Sequence, residues 1–267
     1  MKVYISADIE GVAGIISSDE GNLDQKASAY FCEQMTLEVK AACEGAIAAG
    51  AKEILVKDAH WTGRNIIPRL LPESVKILRG WTGHPFSMMA EIDSSFTAAA
   101  YVGYHARAGS AGNPLAHTMR SSVVREMRLN GKPASEFTLN TYTATMVGVP
   151  VVFLSGDESL CAEVKDYNET IKTVATMKGI GPASISIHPD VAIRQIKEGM
   201  REALSRDFKK AMWPLPGSVQ VEIDYIRPVE AYGRSFYPGA RLVGEYTVRY
   251  ESKSWDDCLR MIHFCIK

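Results

Sequence analysis

The chain opens on an apolar run, Val3-Tyr4-Ile5-Ser6-Ala7, that stops abruptly at Asp8-Ile9-Glu10-Gly11. A short apolar run bounded by polar and turn residues predicts a buried strand. The same signature recurs at Glu53 to Val56, followed by Lys57-Asp58-Ala59-His60, and at Ala98 to Val102, followed by Gly103-Tyr104-His105. It appears again at Val151 to Leu154, followed by Ser155-Gly156-Asp157, and Val75 to Leu78 reads as a further short strand. Between these runs the period changes. From Tyr30 to Ala49, Phe31, Met35, Val39, Ala42, Cys43, Ala46 and Ile47 fall at intervals of three or four, which predicts a helix stopped by Gly50. Ser135 is placed as the N-cap of a helix running to about Val147, and Glu158 to about Tyr167 reads as another. Strands alternating with helices imply an α/β fold with a mainly parallel sheet flanked by helices.

The pattern changes after about residue 188. His188-Pro189-Asp190 opens a long helical stretch to Phe208, and Trp213-Pro214-Leu215-Pro216-Gly217 breaks it. Val219 to Ile223 alternates like a half-buried strand, Leu242 to Tyr250 reads as another, and Asp256 to Ile266 as a helix. Residues 1–187 are therefore expected to form the main α/β domain and residues 188–267 a smaller C-terminal α+β unit, or else strands that complete the first sheet. The 267 residues suffice for one full core of this kind.

Composition narrows the partners. Apolar residues make up 46% and charged residues 23%, as in ordinary globular chains, so disorder is excluded. With 30 basic against 31 acidic residues and no long run of one sign, neither nucleic acid nor a membrane surface is expected as a partner. The N-terminal apolar stretch is broken too early, at Asp8, for a signal peptide, and no window approaches a membrane span. The five cysteines, Cys32, Cys43, Cys161, Cys258 and Cys265, are odd in number and form no C-x-x-C pair. They read as free thiols of a cytoplasmic protein, which leaves histidines and carboxylates for any metal site. Gly45 to Lys52 lacks the lysine of a phosphate loop, Gly179-Ile180-Gly181-Pro182 lacks the rest of a dinucleotide fingerprint, and Gly109-Ser110-Ala111-Gly112 is not a nucleophile elbow.

Three polar clusters then stand out because each follows a strand, where open α/β sheets bind ligands. These are Asp8-x-Glu10, Asp58-x-His60 and His105. Carboxylates two apart in an extended segment point the same way, so Asp8 and Glu10 are able to reach one cation or two adjacent ones. Mixed histidine and carboxylate sets suit zinc that activates water. Taken singly, each residue reads more readily as a cap or a loop residue than as a ligand; it is their joint occurrence that raises a metal site. His84, His188 and His263 read as structural or surface residues.

The blocks Ser6-Ala7-Asp8-Ile9-Glu10-Gly11, Asp58-Ala59-His60, Gly103-Tyr104-His105-Ala106-Arg107-Ala108 and His117-Thr118-Met119, continued by Glu136, Asn140 and Pro150 to Asp157, occur in one order. In that order they resemble the signature blocks of the bacterial zinc-dependent D-aminopeptidases, whose founding member is encoded with a dipeptide transport system. The resemblance is dense over roughly the first 160 residues and loose beyond. It implies two zinc ions per subunit, held by Asp8, Glu10, His60, His105 and Glu136, with Asp8 bridging. It also implies His117 as the catalytic residue, an α/β fold with a smaller second domain, and ring-like homodecamers that enclose their active sites. The implied substrates are short peptides with an N-terminal D-residue, such as D-Ala-D-Ala. Asp58 is a candidate to orient His60 or to cap a helix. Asn140, one turn beyond Glu136, is a candidate to support it, to contact the substrate ammonium, or to sit on the helix surface. Two other readings stay open: a different metal-dependent amidase, esterase or phosphatase, and a peptide-binding protein that keeps its metals without activity.

Overall fold

The computed structural model describes residues 1–267. It begins with β1 (Lys2–Ala7), buried after its first residue, as befits a central parallel strand covered on both faces. The short α1 (Ser18–Gly21) and the long α2 (Ser28–Ala48) lead back to β2 (Glu53–Asp58), followed by β3 (Val75–Leu78) and β4 (Ala98–Tyr104). Next come β5 (Val124–Leu129) and β6 (Lys132–Pro133), a hairpin turned by Asn130 and Gly131, both at positive φ. Then α3 (Glu136–Met146) starts on the expected cap, the Ser135 side chain accepting the N–H of Thr138. After it run β7 (Val151–Asp157), α4 (Glu158–Tyr167), β8 (Lys172–Ile180), β9 (Ala183–Ser186) and α5 (Pro189–Ser205). The chain closes with β10 (Val219–Tyr225), α6 (Pro228–Arg234), β11 (Arg241–Leu242), β12 (Thr247–Ser252) and α7 (Trp255–Cys265).

Seven strands form one sheet in the order β3-β2-β1-β4-β7-β8-β9, parallel throughout except for the edge strand β9, and helices flank it. This is the α/β architecture expected from the alternating pattern. From β1 the chain builds outward through β2 to β3, then crosses back to add β4 on the other side of β1. Strand order therefore reverses at β1, and the crevice beyond the carboxyl ends of β1 and β4 is the switch point of the sheet.

The other five strands form an antiparallel sheet, β11-β12-β10-β5-β6, with its own hydrophobic core and with α7 packed on β10 and β12. It takes β5 and β6 from residues ahead of 188. Conversely α5, beyond 188, packs against α2, β7 and β8 of the large sheet. The expected division at 187/188 follows chain order, whereas the sheets sort segments by hydrogen-bonding partner. The single strand expected from Leu242 to Tyr250 is two, β11 and β12, because the chain reverses at Gly244, whose carbonyl accepts the N–H of Thr247.

Candidate metal centre

Backbone contact between β1 and β4 assembles the site. The N–H of Asp8 donates to the Val102 carbonyl at 2.8 Å and that of Gly11 to the Gly103 carbonyl at 2.8 Å. Gly103 has φ +71°, and a Cβ there would lie 2.2 Å from the Asp8 carbonyl oxygen; a Cβ on Gly11 would lie 1.8 Å from that of Tyr104. Only glycine lets the two main chains touch this closely. The contact sets Asp8 and Glu10, just beyond β1, beside His105, just beyond β4.

His60 arrives from the end of β2, where the N–H of Ala59 donates to the Ala7 carbonyl at 2.8 Å. Its Nε2 lies 3.0 Å from the Gly21 carbonyl, which can only accept, so the other nitrogen is left for the site. That Nδ1 lies 3.2 Å from Asp8 Oδ1 and 3.0 Å from Glu10 Oε2. His105 is arranged in the opposite sense: Nδ1 donates to the Ala106 carbonyl at 2.9 Å, and Nε2 lies 3.5 Å from Asp8 Oδ2 and 3.5 Å from Glu136 Oε2. One ring nitrogen committed to a carbonyl and the other aimed at an acidic cavity is the disposition of metal-ligating imidazoles. Glu136 is the first residue of α3, and its Oε1 accepts the N–H of Met119 at 2.6 Å.

All five side chains are buried. Their ligand atoms fall into two sets, Asp8-Glu10-His60 and Asp8-His105-Glu136, each within 4.8 Å, with Asp8 in both. Without cations the charges must balance internally. Burial, with the neighbouring Glu10 charge second, holds the Asp8 pKa well above its usual value. Burial works to raise Glu10 and Glu136 as well. The charge of His60 overrides it at Glu10, which ends well below the carboxylate range, and that of His105 brings Glu136 to about 2. Burial opposes charge on His60 and His105, but the facing Glu10 and Glu136 respectively outweigh it and raise both. Glu10 Oε2 and His105 Nε2 are buried without a hydrogen-bond partner. Buried polar atoms of this kind are costly unless something else satisfies them. Three carboxylates and two imidazoles, with these two of their atoms unpartnered, fit divalent cations.

His117 lies beside the cluster. Its ring stacks on that of His105, centroids 4.4 Å apart, with Nδ1 donating to the Leu115 carbonyl at 2.9 Å and Nε2 3.7 Å from Glu136 Oε1. With Glu10 and His105 it forms a third close set. Asp58 does not reach His60. Its carboxylate accepts the N–H groups of Asn65 and Ile66 at 2.6 and 2.8 Å, and Asn65 Nδ2 bridges Asp58 Oδ1 to the His60 carbonyl, so Asp58 fixes the turn that presents His60. Asn140 does not touch Glu136 either: its amide donates to Tyr104 Oη at 2.9 Å, in a buried chain that continues to Ser6 Oγ. His84 and His188 are exposed and His263 sits in α7, away from the cluster.

Sequence reasoning missed a positioning pair. Asp157 Oδ2 accepts the Ala106 N–H at 2.6 Å and Asn113 Nδ2 at 3.1 Å, and that same amide donates to the Glu10 carbonyl at 2.9 Å. Asp157 thereby ties the loops carrying Glu10 and His105 while also capping α4. An aspartate between a strand and a helix was a visible cap signal, but its second partner was not. The cluster opens into a cleft of about 650 Å³ whose walls include Trp61, Trp81, Leu115 and Met119.

The D-aminopeptidase family profile matches residues 1–264. A curated D-aminopeptidase of Bacillus subtilis (strain 168) is 29% identical over 259 residues, covering 95% of this chain and 92% of its own. Among solved structures, the zinc-dependent D-aminopeptidase DppA of Bacillus subtilis, described as a self-compartmentalizing protease, superposes with a TM-score of 0.92 at 27% identity. It covers 99% of this chain and 96% of its own.

Proposed function

This chain belongs to the D-aminopeptidase family, whose members are peptide-bond hydrolases, and we propose that it uses two zinc ions to release the N-terminal D-residue of short peptides such as D-Ala-D-Ala. The observation that carries the metal count is the pair of ligand sets sharing one carboxylate. In this reading Asp8, Glu10 and His60 would hold one ion and Asp8, His105 and Glu136 the other. Bound there, the ions supply Lewis acidity for water and for the scissile carbonyl.

The remaining chemistry falls to the chain. With Nδ1–H donated to the Leu115 carbonyl, His117 Nε2 is the nitrogen left to accept a proton and pass it to the leaving amine. Its stacking on His105 fixes the ring facing the cluster. Asn113 and Asp157 keep Glu10 and His105 in place. A ring-like homo-oligomer, a decamer by the family resemblance, agrees with the description of the Bacillus relative. A cytoplasmic setting agrees with five buried, unpaired cysteines and with the absence of any helix long and apolar enough to cross a membrane.

The test is metal analysis of the purified protein together with hydrolysis of D-Ala-D-Ala, L-Ala-L-Ala and simple ester and phosphate substrates. About two zinc ions per chain and a strong D-peptide preference are expected. His117→Ala keeps the metal and loses about 10²- to 10⁴-fold in rate. Faster ester or phosphate turnover assigns the site to another hydrolase class, metal without any turnover assigns it to binding, and near-normal activity of His117→Ala removes that residue from the chemistry.

A further inference from the structure

We infer that Arg120 recognises the free C-terminal carboxylate of the substrate and so confines the site to very short peptides; this rests on the peptidase reading above. Of the 21 residues lining the cleft, Arg120 is the only lysine or arginine. The same cleft is lined by Asp8, Glu10 and Glu136. A peptide that enters with its ammonium end toward these acids brings a carboxylate that they repel, and a cation lining the same cleft resolves the conflict. Guanidinium suits the task because its planar fork matches a carboxylate in a bidentate pair.

Arg120 is free to do this where its neighbours are not. Arg107, just beyond β4, and Arg125, Arg128 and Arg249 of the small sheet all pair with Glu126, Glu222 or Asp224. The Arg120 guanidinium instead makes a single hydrogen bond, from Nη1 to the Ile266 carbonyl at 3.3 Å, and pairs with no acid. Its main chain is fixed: the N–H donates to the Thr118 carbonyl at 2.8 Å, and its own carbonyl accepts the N–H groups of Val123 and Val124 at 3.0 and 2.9 Å.

Reach then sets substrate length. The preceding residue, Met119, donates its N–H to Glu136 Oε1 at 2.6 Å, so Arg120 starts one residue, about 3.8 Å of chain, from the cluster. A dipeptide carboxylate lies one residue beyond the scissile bond, within an extended arginine. Each further residue moves the carboxylate about 3.5 Å farther away. The competing role for Arg120 is to cap the end of α7, where Ile266 sits and where a cation is favourable. That role uses one of the five guanidinium donors.

The experiment compares D-Ala-D-Ala with its C-terminal amide as substrates for the metal-loaded wild type, Arg120→Gln and Arg120→Lys, with melting temperatures in parallel. Wild type favours the acid by about 10- to 100-fold in kcat/KM, the range of one charge-assisted pair. In Arg120→Gln that ratio collapses toward one, chiefly through KM, and Arg120→Lys restores part of it. A wild type indifferent to the terminal carboxylate overturns the inference. So does an Arg120→Gln enzyme that keeps the acid-to-amide ratio while melting lower, which is the result of a helix cap alone. If wild type cleaves neither D-peptide, the peptidase reading itself falls and takes this inference with it.

Discussion

Replacing Glu38 by glutamine isolates the effect of one buried acid beneath the loop that carries Glu10. Glu38 lies in α2 with no exposed surface; its Oε1 accepts the Ala13 N–H and Gln34 Nε2, both at 2.9 Å, while Oε2 has no partner. Burial outweighs these bonds and lifts the carboxyl from 4.5 to about 7. At about 1.4 kcal/mol per pKa unit, this is about 3 kcal/mol between the protonated and ionised forms. The folded-state pKa is the raised one, so the stabilising contribution is fully present below pH 4.5 and is lost as pH rises through 7. Linkage gives wild type a loss of about 2.5 kcal/mol between pH 5 and pH 8 that Glu38→Gln does not share. For a chain of this size that is about 5–10 °C in the difference between melting temperatures, read at matched metal content. Glutamine keeps the oxygen that accepts from Ala13, so the loop stays in place, although its amide carries donors into an unpartnered position. That fixed penalty offsets the difference curve without tilting it. The melting temperature of Glu38→Gln minus that of wild type is expected to rise from pH 5 to pH 8; a difference that is flat or falls refutes the raised Glu38 pKa.

Two further outcomes test how the centre is built. Gly103→Ala forces a Cβ to 2.2 Å from the Asp8 carbonyl at a φ of +71°, and is expected to cost about 4 kcal/mol or more with loss of metal; a change under about 1 kcal/mol in denaturant unfolding contradicts the backbone contact as drawn. Asp8→Asn is expected to empty both ligand sets and His60→Ala only one, leaving about no zinc and about one zinc per chain by elemental analysis. Equal losses in the two variants defeat the shared-carboxylate arrangement.

The hydrophobic pattern fixes element type wherever burial is one-sided or complete, because the side chains themselves carry that information. So β1, α2, α4 and the Ser135 cap were legible along the chain, and so was the residue chemistry of Asp8, Glu10, His60 and His105 at strand ends. The hairpin turned by Asn130 and Gly131 was signalled too, as a dipeptide suited to two positive φ values, though it went unread. What the chain could not express locally was which strand lies beside which. An apolar run specifies that it is buried, not its neighbour, so the placement of β4 against β1, and with it the meeting of His105 and Asp8, was decided by the packed sheet. Side-chain partners followed the same rule: Asp58 and Asn140 sit near His60 and Glu136 in sequence, yet their hydrogen bonds go to Asn65 and Tyr104, which the tertiary structure brings closer. Residue identity set what chemistry was available, and long-range backbone pairing set which groups stand together, since ligand geometry requires atoms from distant strands within a few ångströms of one another.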